Sequence, residues 1–167
     1  MYCLIPAALT DVEKCFEIIK EAKEFQKEQG FIQWTDEYPD ISIIKEDILT
    51  RKGYILTQEN KIAAYLCVDF SGEPAYENIV GKWTAEQPYA VIHRMALNRK
   101  FRNTGLSSTV LSLVEKLCLS KNISYIRVDT DSQNKRMQHI LEKNHFSQRG
   151  TIIFQGGEKI AYDKLLD

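Results

Sequence analysis

The stretch Val91-Ile92-His93-Arg94-Met95-Ala96-Leu97-Asn98-Arg99-Lys100-Phe101-Arg102-Asn103-Thr104-Gly105-Leu106-Ser107 decides how this chain is read. Residues 91–97 have the composition of a strand, and residues 98–103 are polar and basic. From Thr104 onward, Leu106, Val110, Leu113, Val114, Leu117 and Cys118 fall on one face of a helix. A strand therefore feeds a short basic loop that opens into a helix, where unpaired backbone N–H groups and the positive end of the helix dipole converge. Such a point binds anions. Gly105 has no side chain to hold a diphosphate off the backbone. Thr104, Ser107 and Ser108 add hydroxyls, and Arg99, Lys100 and Arg102 add charge. A lone glycine of this kind also fits an ordinary strand-to-helix junction, so the surrounding sequence has to separate the two readings.

Downstream, residues 123–130 form a second strand, and Asp131 or Ser132 caps a helix that buries Met137, Ile140 and Leu141. Strand, helix, strand, helix is a parallel crossover unit. Upstream, residues 2–6 form a short strand, and Thr10 and Glu13 have the spacing of a capping box ahead of Val12, Cys15, Phe16, Ile19 and Ala22. Gly30 stops that helix. An aromatic loop, residues 31–39, leads to a short helix capped by Asp40 or Ser42 with Ile41, Ile44 and Ile48 inward. Two strands, 54–57 and 62–70, flank the tight turn Glu59-Asn60. The connection 71–88 is too long for a simple turn and is anchored by Tyr76, Ile79 and Trp83. Residues 146–154 and 159–165 close the chain as a hairpin around Gln155-Gly156-Gly157-Glu158. The order β, α, α, β, β, β, α, β, α, β, β predicts a mixed α/β fold, with helices on both faces of one sheet.

At 167 residues and a net charge of −1, with 44% apolar and 27% charged residues, the chain has the composition of one globular domain spanning 1–167. No global positive field exists to gather nucleic acid. The longest apolar run, residues 62–68, is far short of a membrane span. Cys3, Cys15, Cys67 and Cys118 lack any metal-ligand or disulfide spacing, which suits reduced thiols in a cytoplasmic protein and leaves no metal site. The phosphate-binding patterns Gly-x-x-x-x-Gly-Lys-Ser/Thr and Gly-x-Gly-x-x-Gly are absent, which counts against a nucleotide-binding module.

Arg102-Asn103-Thr104-Gly105-Leu106-Ser107 resembles the acyl-CoA-binding motif of the GNAT N-acetyltransferases, Arg/Gln-x-x-Gly-x-Gly/Ala, with Ser107 in place of the last small residue. The segment from Asn134 to Phe146 resembles the family's later helix, which begins near an Asn, and the order of elements is also that family's. The resemblance covers essentially the whole chain. It implies a single-domain acyl-CoA N-acyltransferase fold, a mostly antiparallel sheet of about seven strands with a splay between the fourth and the fifth. It implies acetyl-CoA as cosubstrate, the pantetheine arm pairing with backbone at Met95, Ala96 and Leu97, and the diphosphate held by Arg102, Asn103, Thr104, Gly105, Leu106 and Ser107. Asn134 would meet the arm, or else satisfy its own helix start.

Acetyl transfer requires a neutral amine, a polarised thioester carbonyl and a proton for the departing sulfur. The family's usual proton donor, a Tyr just before Glu142, is replaced by Leu141. His93 is the candidate proton acceptor, since alternation puts it on one face with Val91, Met95 and Leu97. His93 also matches the second of two strand histidines in arylalkylamine N-acetyltransferases, with Val91 at the first. As an alternative, it is a packed, hydrogen-bonded sheet residue with Arg94 alone facing solvent. Glu77 is a second candidate for the acceptor amine. Trp34, Tyr38 and Tyr76, on loops 31–39 and 71–88, are candidate acceptor contacts, and the carboxylates of those loops suit a cationic amine. The partner expected is a small-molecule or peptide amine, with no nucleic acid or membrane, and a homodimer is left open. The competing function is a catalytically inactive acyl-CoA-binding module, which the missing Tyr favours.

Overall fold

A computed structural model describes residues 1–167, with four α-helices and eight strands. The chain forms two compact units, one of residues 1–68 and 93–114 and the other of residues 69–92 and 115–167. No single cut separates them, because the strand at 90–97 and the helix at 106–120 each contribute to both.

In the first unit, strand β1 (Cys3–Pro6) pairs antiparallel with β2 (Gly53–Gln58), and β2 with β3 (Lys61–Asp69). Glu59 and Asn60 take φ of 49° and 64°, the left-handed pair that a two-residue hairpin turn requires. The first helix starts differently from the sequence expectation. Thr10 does not cap it; a single 3-10 turn, Leu9–Asp11, comes first, and the Asp11 carboxylate accepts from the Ala8 N–H at 2.8 Å. Helix α1 (Val12–Glu28) then ends at Gly30. Gly30 adopts φ +87°, with its N–H on the Lys27 carbonyl and that of Phe31 on the Gln26 carbonyl, the paired bonds of a Schellman stop. Helix α2 (Ile41–Leu49) is capped by Asp40, whose carboxylate accepts from Ile43 N–H at 3.0 Å. Ile44 and Ile48 are buried, but Ile41 is 44% exposed and does not join the core. That core packs Ile18, Ile19, Trp34, Ile44, Ile55 and Tyr65 together with Ala96 of β5 (Ala90–Leu97), the strand next to β3.

In the second unit the strand order is β5, β6 (Tyr125–Asp131), β8 (Gly157–Leu165), β7 (Ser147–Phe154) and β4 (Val80–Gly81). The two-residue β4 is an eighth strand that the sequence does not announce. It pairs Gly81 with Gly150 of β7. The closing hairpin is tighter than expected, because Gln155 and Gly156 (φ 54° and 75°) alone form its turn and β8 starts at Gly157. All pairing is antiparallel except β5 with β6, whose parallel ladder consists of Ala90↔Ile126 and Val91↔Arg127. From Val128 to Asp131, β6 is in register with β8. The buried side chains around Tyr76, Trp83, Val91, Ile152 and Ala161 form this unit's core. Helix α3 (Leu106–Ser120) follows β5 in the chain, and α4 (Lys135–Lys143) follows β6. No helix is long and apolar enough to cross a membrane.

Candidate functional site

The loop after β5 is shaped by its own polar side chains. Asn98 accepts from the Lys100 N–H at 3.1 Å and donates to the Ile62 carbonyl at 3.0 Å, which fixes the start of a 3-10 turn, Arg99–Phe101. Thr104 Oγ1 closes back on the Phe101 carbonyl at 2.5 Å. Asn103 and Gly105 take φ of 62° and 75°, so the chain curls twice immediately before α3. A Cβ built on Gly105 would meet nothing within 4 Å, so the room above this backbone is open. Asn103, Thr104 and Gly105 are exposed, as are Arg99 and Lys100. Open space over a left-handed glycine, flanking cations and the N-terminal turn of a 15-residue helix together suit a diphosphate. The Arg102 guanidinium stacks 4.2 Å from the centre of the Phe25 ring on α1. Leu106 and Ser107 are buried at the start of α3.

Strand β5 departs from the alternation its sequence suggests. Arg94 takes φ +52°, which interrupts the strand's regular pleat and costs an L-residue strain. The expectation that Arg94 faces solvent is overturned, since its side chain is 13% exposed and bidentate on Asp47 of α2, Nε to Oδ2 at 2.8 Å and Nη2 to Oδ1 at 2.6 Å. Tyr65 of β3 donates to the same Asp47 Oδ2 at 2.6 Å, and Arg94 Nη1 donates to Tyr38 OH at 2.9 Å. Three hydrogen bonds from its guanidinium thus hold the strained residue in place, and a fourth, from Tyr65, holds Asp47. His93, immediately before it, is 9% exposed.

Loop 31–39 is pinned to α1. Trp34 is buried and its N–H donates to Gln26 Oε1 at 3.0 Å. Lys23, a buried lysine, donates to the Pro39 carbonyl at 2.6 Å, and burial pulls its ammonium below the ordinary value against the opposing carboxylates of Asp36 and Asp40. Trp34 therefore serves as a core residue, and Tyr38 as a partner of Arg94.

In the second unit, residues 71–88 are fastened along β6. Tyr76 is completely buried and donates to Asp129 Oδ2 at 2.6 Å. Trp83 Nε1 donates to the Tyr76 carbonyl at 2.8 Å. Arg127 lies 4.4 Å and 4.2 Å from the Trp83 and Tyr89 ring centres and donates to the Ala85 carbonyl at 2.7 Å. Asp163 of β8 collects Tyr125 OH at 2.5 Å, Thr84 N–H at 2.7 Å and Thr84 Oγ1 at 2.8 Å. Tyr76 is thus sealed from solvent beneath this segment, while Glu77 stays exposed. Sequence reading missed Asp129. Burial first of all raises its carboxyl from 3.8 to about 6, against the Tyr76 hydrogen bond and Lys159, which lower it.

The later helix is capped by Asn134 itself, not by Asp131 or Ser132: Asn134 Oδ1 accepts from Met137 N–H at 3.1 Å. Leu141 is a core residue, 1% exposed. Burial pushes the thiols of Cys15 and Cys118 up to about 12, with Asp11 and Glu115 adding to the effect. Neither is a nucleophile at neutral pH.

Among solved structures, an acetyltransferase of the GNAT family from Streptococcus agalactiae 2603 is 28% identical with a TM-score of 0.92, over 99% of this chain and 96% of that one. A second from Listeria monocytogenes 4b F2365 is 21% identical with a TM-score of 0.79, over 99% and 95%. The aminoglycoside acetyltransferase AAC(6')-Ib, solved with coenzyme A and kanamycin, shares the fold at 17% identity and a TM-score of 0.72, over 99% and 95%. No curated protein sequence matches the chain. The family model described as Acetyltransferase (GNAT) family matches residues 13–146, a span that takes in β5, the curled loop before α3 and α4, and the chain belongs to that family.

Proposed function

We propose that this chain transfers an acetyl group from acetyl-CoA to a primary amine, on a small molecule or a protein, by direct attack in a ternary complex. The observation that carries the reading is the open, left-handed Gly105 between exposed cations and the first turn of α3. Acetyl-CoA, when bound, supplies the acyl group already activated as a thioester. Arg99 and Lys100 bring charge to its diphosphate, Gly105 lets the backbone approach it, and the main chain at Met95, Ala96 and Leu97 pairs with the pantetheine arm as an added strand does. His93 and Glu77 are candidates for the acceptor's proton. An amine acceptor is supported by relatives of the same fold solved with ribostamycin or kanamycin beside CoA. Direct attack is supported by the burial of Cys15 and Cys118, whose raised thiols are poor nucleophiles for forming an acetyl-enzyme.

Gly105→Val tests the cradle, with Gly30→Val as its control. Both glycines are left-handed with open space around the added Cβ, so both variants carry the same backbone strain. Calorimetry is expected to find CoA binding lost in Gly105→Val and kept in Gly30→Val. Unchanged CoA affinity in a folded Gly105→Val protein overturns the cradle. The buried Leu141, where the resemblance places a proton-donating Tyr, favours a second reading as a non-catalytic CoA-binding module. Thiol release from acetyl-CoA in the presence of amines decides between them.

A further inference from the structure

Strand β6 carries a row of side chains on one pleat face, Tyr125, Arg127, Asp129 and Asp131, while Ile126, Val128 and Thr130 occupy the other. Each of the four is committed to a different degree. Tyr125 donates to Asp163, Arg127 is stacked between rings and bonded to the Ala85 carbonyl, and Asp131 is paired with Lys159 at 3.3 Å. Asp129 is different. Its half-buried carboxylate accepts one hydrogen bond, from Tyr76 OH to Oδ2, which leaves Oδ1 for a ligand.

The backbone next to Asp129 is also available. The parallel ladder from β5 stops at Val91↔Arg127, two residues earlier, while Val128 to Asp131 remain in register with β8 on the opposite edge. The charged and titratable groups facing Asp129 are Tyr76 and Glu73 from the covering segment and Lys159 from β8, with Arg127 one pleat away on its own strand. A carboxylate with one neutral donor on Oδ2 and no hydrogen bond on Oδ1 is poised to receive a cation.

We infer that Asp129 binds the ammonium of the acceptor through Oδ1 and takes its proton, with Tyr76 as the positioning residue that holds the carboxylate. This deepens the N-acetyltransferase reading and rests on it. Asp129 accepts one proton from the ammonium and passes it to solvent. The freed amine then attacks, so that the N–C bond forms and the C–S bond breaks. A second N–H proton goes to the departing sulfur, and the amide keeps the third. Burial holds the carboxyl near 6, high enough to accept a proton and low enough to be ionised at neutral pH.

The test is thiol release from acetyl-CoA between pH 5 and 9 with kanamycin, spermidine and a lysine peptide as probes, alongside CoA calorimetry on each protein. In the parent, kcat/KM is expected to rise with pH through an apparent value near 6. Asp129→Asn should lose that limb and about 100- to 10,000-fold in kcat/KM while binding CoA as the parent does, and Asp129→Glu should recover part of the rate. The inference is overturned if Asp129→Asn works within about threefold of the parent with the same limb, or if His93→Gln is the variant that loses it. A parent that binds CoA but releases thiol with none of the probes, or that fails to bind CoA at all, strikes the underlying reading instead.

Discussion

Asp47 and Asp129 each accept a tyrosine hydroxyl at 2.6 Å, from Tyr65 and Tyr76, yet the two carboxylates are built for different ends. Asp47 also accepts from Nε and Nη2 along one edge of a guanidinium, and that ion pair in turn fixes Arg94 in a left-handed conformation within β5. Its charge is matched where it stands. Asp129 has the same hydroxyl and no such cation, since Lys159 is bonded to Asp131. What separates a strut from a proton carrier here is the partner on the second oxygen.

Removing the cation should turn the first arrangement toward the second. Arg94→Met leaves Asp47 buried with Tyr65 alone, and breaking a buried pair in this way costs about 3–5 kcal/mol. Urea unfolding should show that loss at pH 7, and a loss under 1 kcal/mol would mean that Asp47 needs no counter-charge.

Asp129→Asn should act in the opposite direction on stability. A carboxyl raised from 3.8 to about 6 is penalised by folding once it ionises. The parent's stability is therefore highest below 3.8 and falls as pH rises to about 6, and the neutral amide escapes the fall. The variant should gain up to about 3 kcal/mol at pH 7 and nothing at pH 3.5. Equal stability of the two proteins at both pH values would show that burial does not strain Asp129. A site that is more stable without its ionisable group is characteristic of function held against stability.

The smallest effects separate the two tyrosines. Tyr65→Phe removes a bond from a carboxylate that Arg94 still holds by both oxygens, for about 1 kcal/mol and no change in the pH profile. Tyr76→Phe removes the bond that lowers the Asp129 carboxyl, so the kcat/KM limb should move to higher pH. If the limb moves in Tyr65→Phe and stays in Tyr76→Phe, the two roles are assigned the wrong way round.

The features legible in the sequence are the ones that local chemistry decides. Gly30 as a helix stop, Asp40 as a cap and Glu59-Asn60 as a turn all follow from a few adjacent residues, and the basic curl before α3 was readable for the same reason. The misreadings came where a distant partner overrides a local rule. Alternation sends Arg94 to solvent, but Asp47, 47 positions earlier, draws it inward at a left-handed backbone position. The signal was an aspartate among Ile44 and Ile48 on the buried face of α2. Asp129 reads as the polar side of a half-exposed strand until residues 71–88 are laid over it. Trp34 and Tyr76 look like lid aromatics until Gln26 and Asp129 fasten the segments that carry them.

The shortest strand restricts what evolution can try. A Cβ at Gly81 would collide with the main chain of Arg149 and Gly150, and one at Gly150 with the main chain of Val80 and Gly81. Because each obstacle is backbone, shrinking one residue makes no room for enlarging the other, and the familiar size-swap compensation between neighbours is closed to this pair. The two positions are locked independently, although they touch. Lineages that vary the covering segment must do so on either side of Gly81, by changing residues 71–79 or 82–88. The tether to β7 therefore acts as a fixed point around which the covering segment can drift.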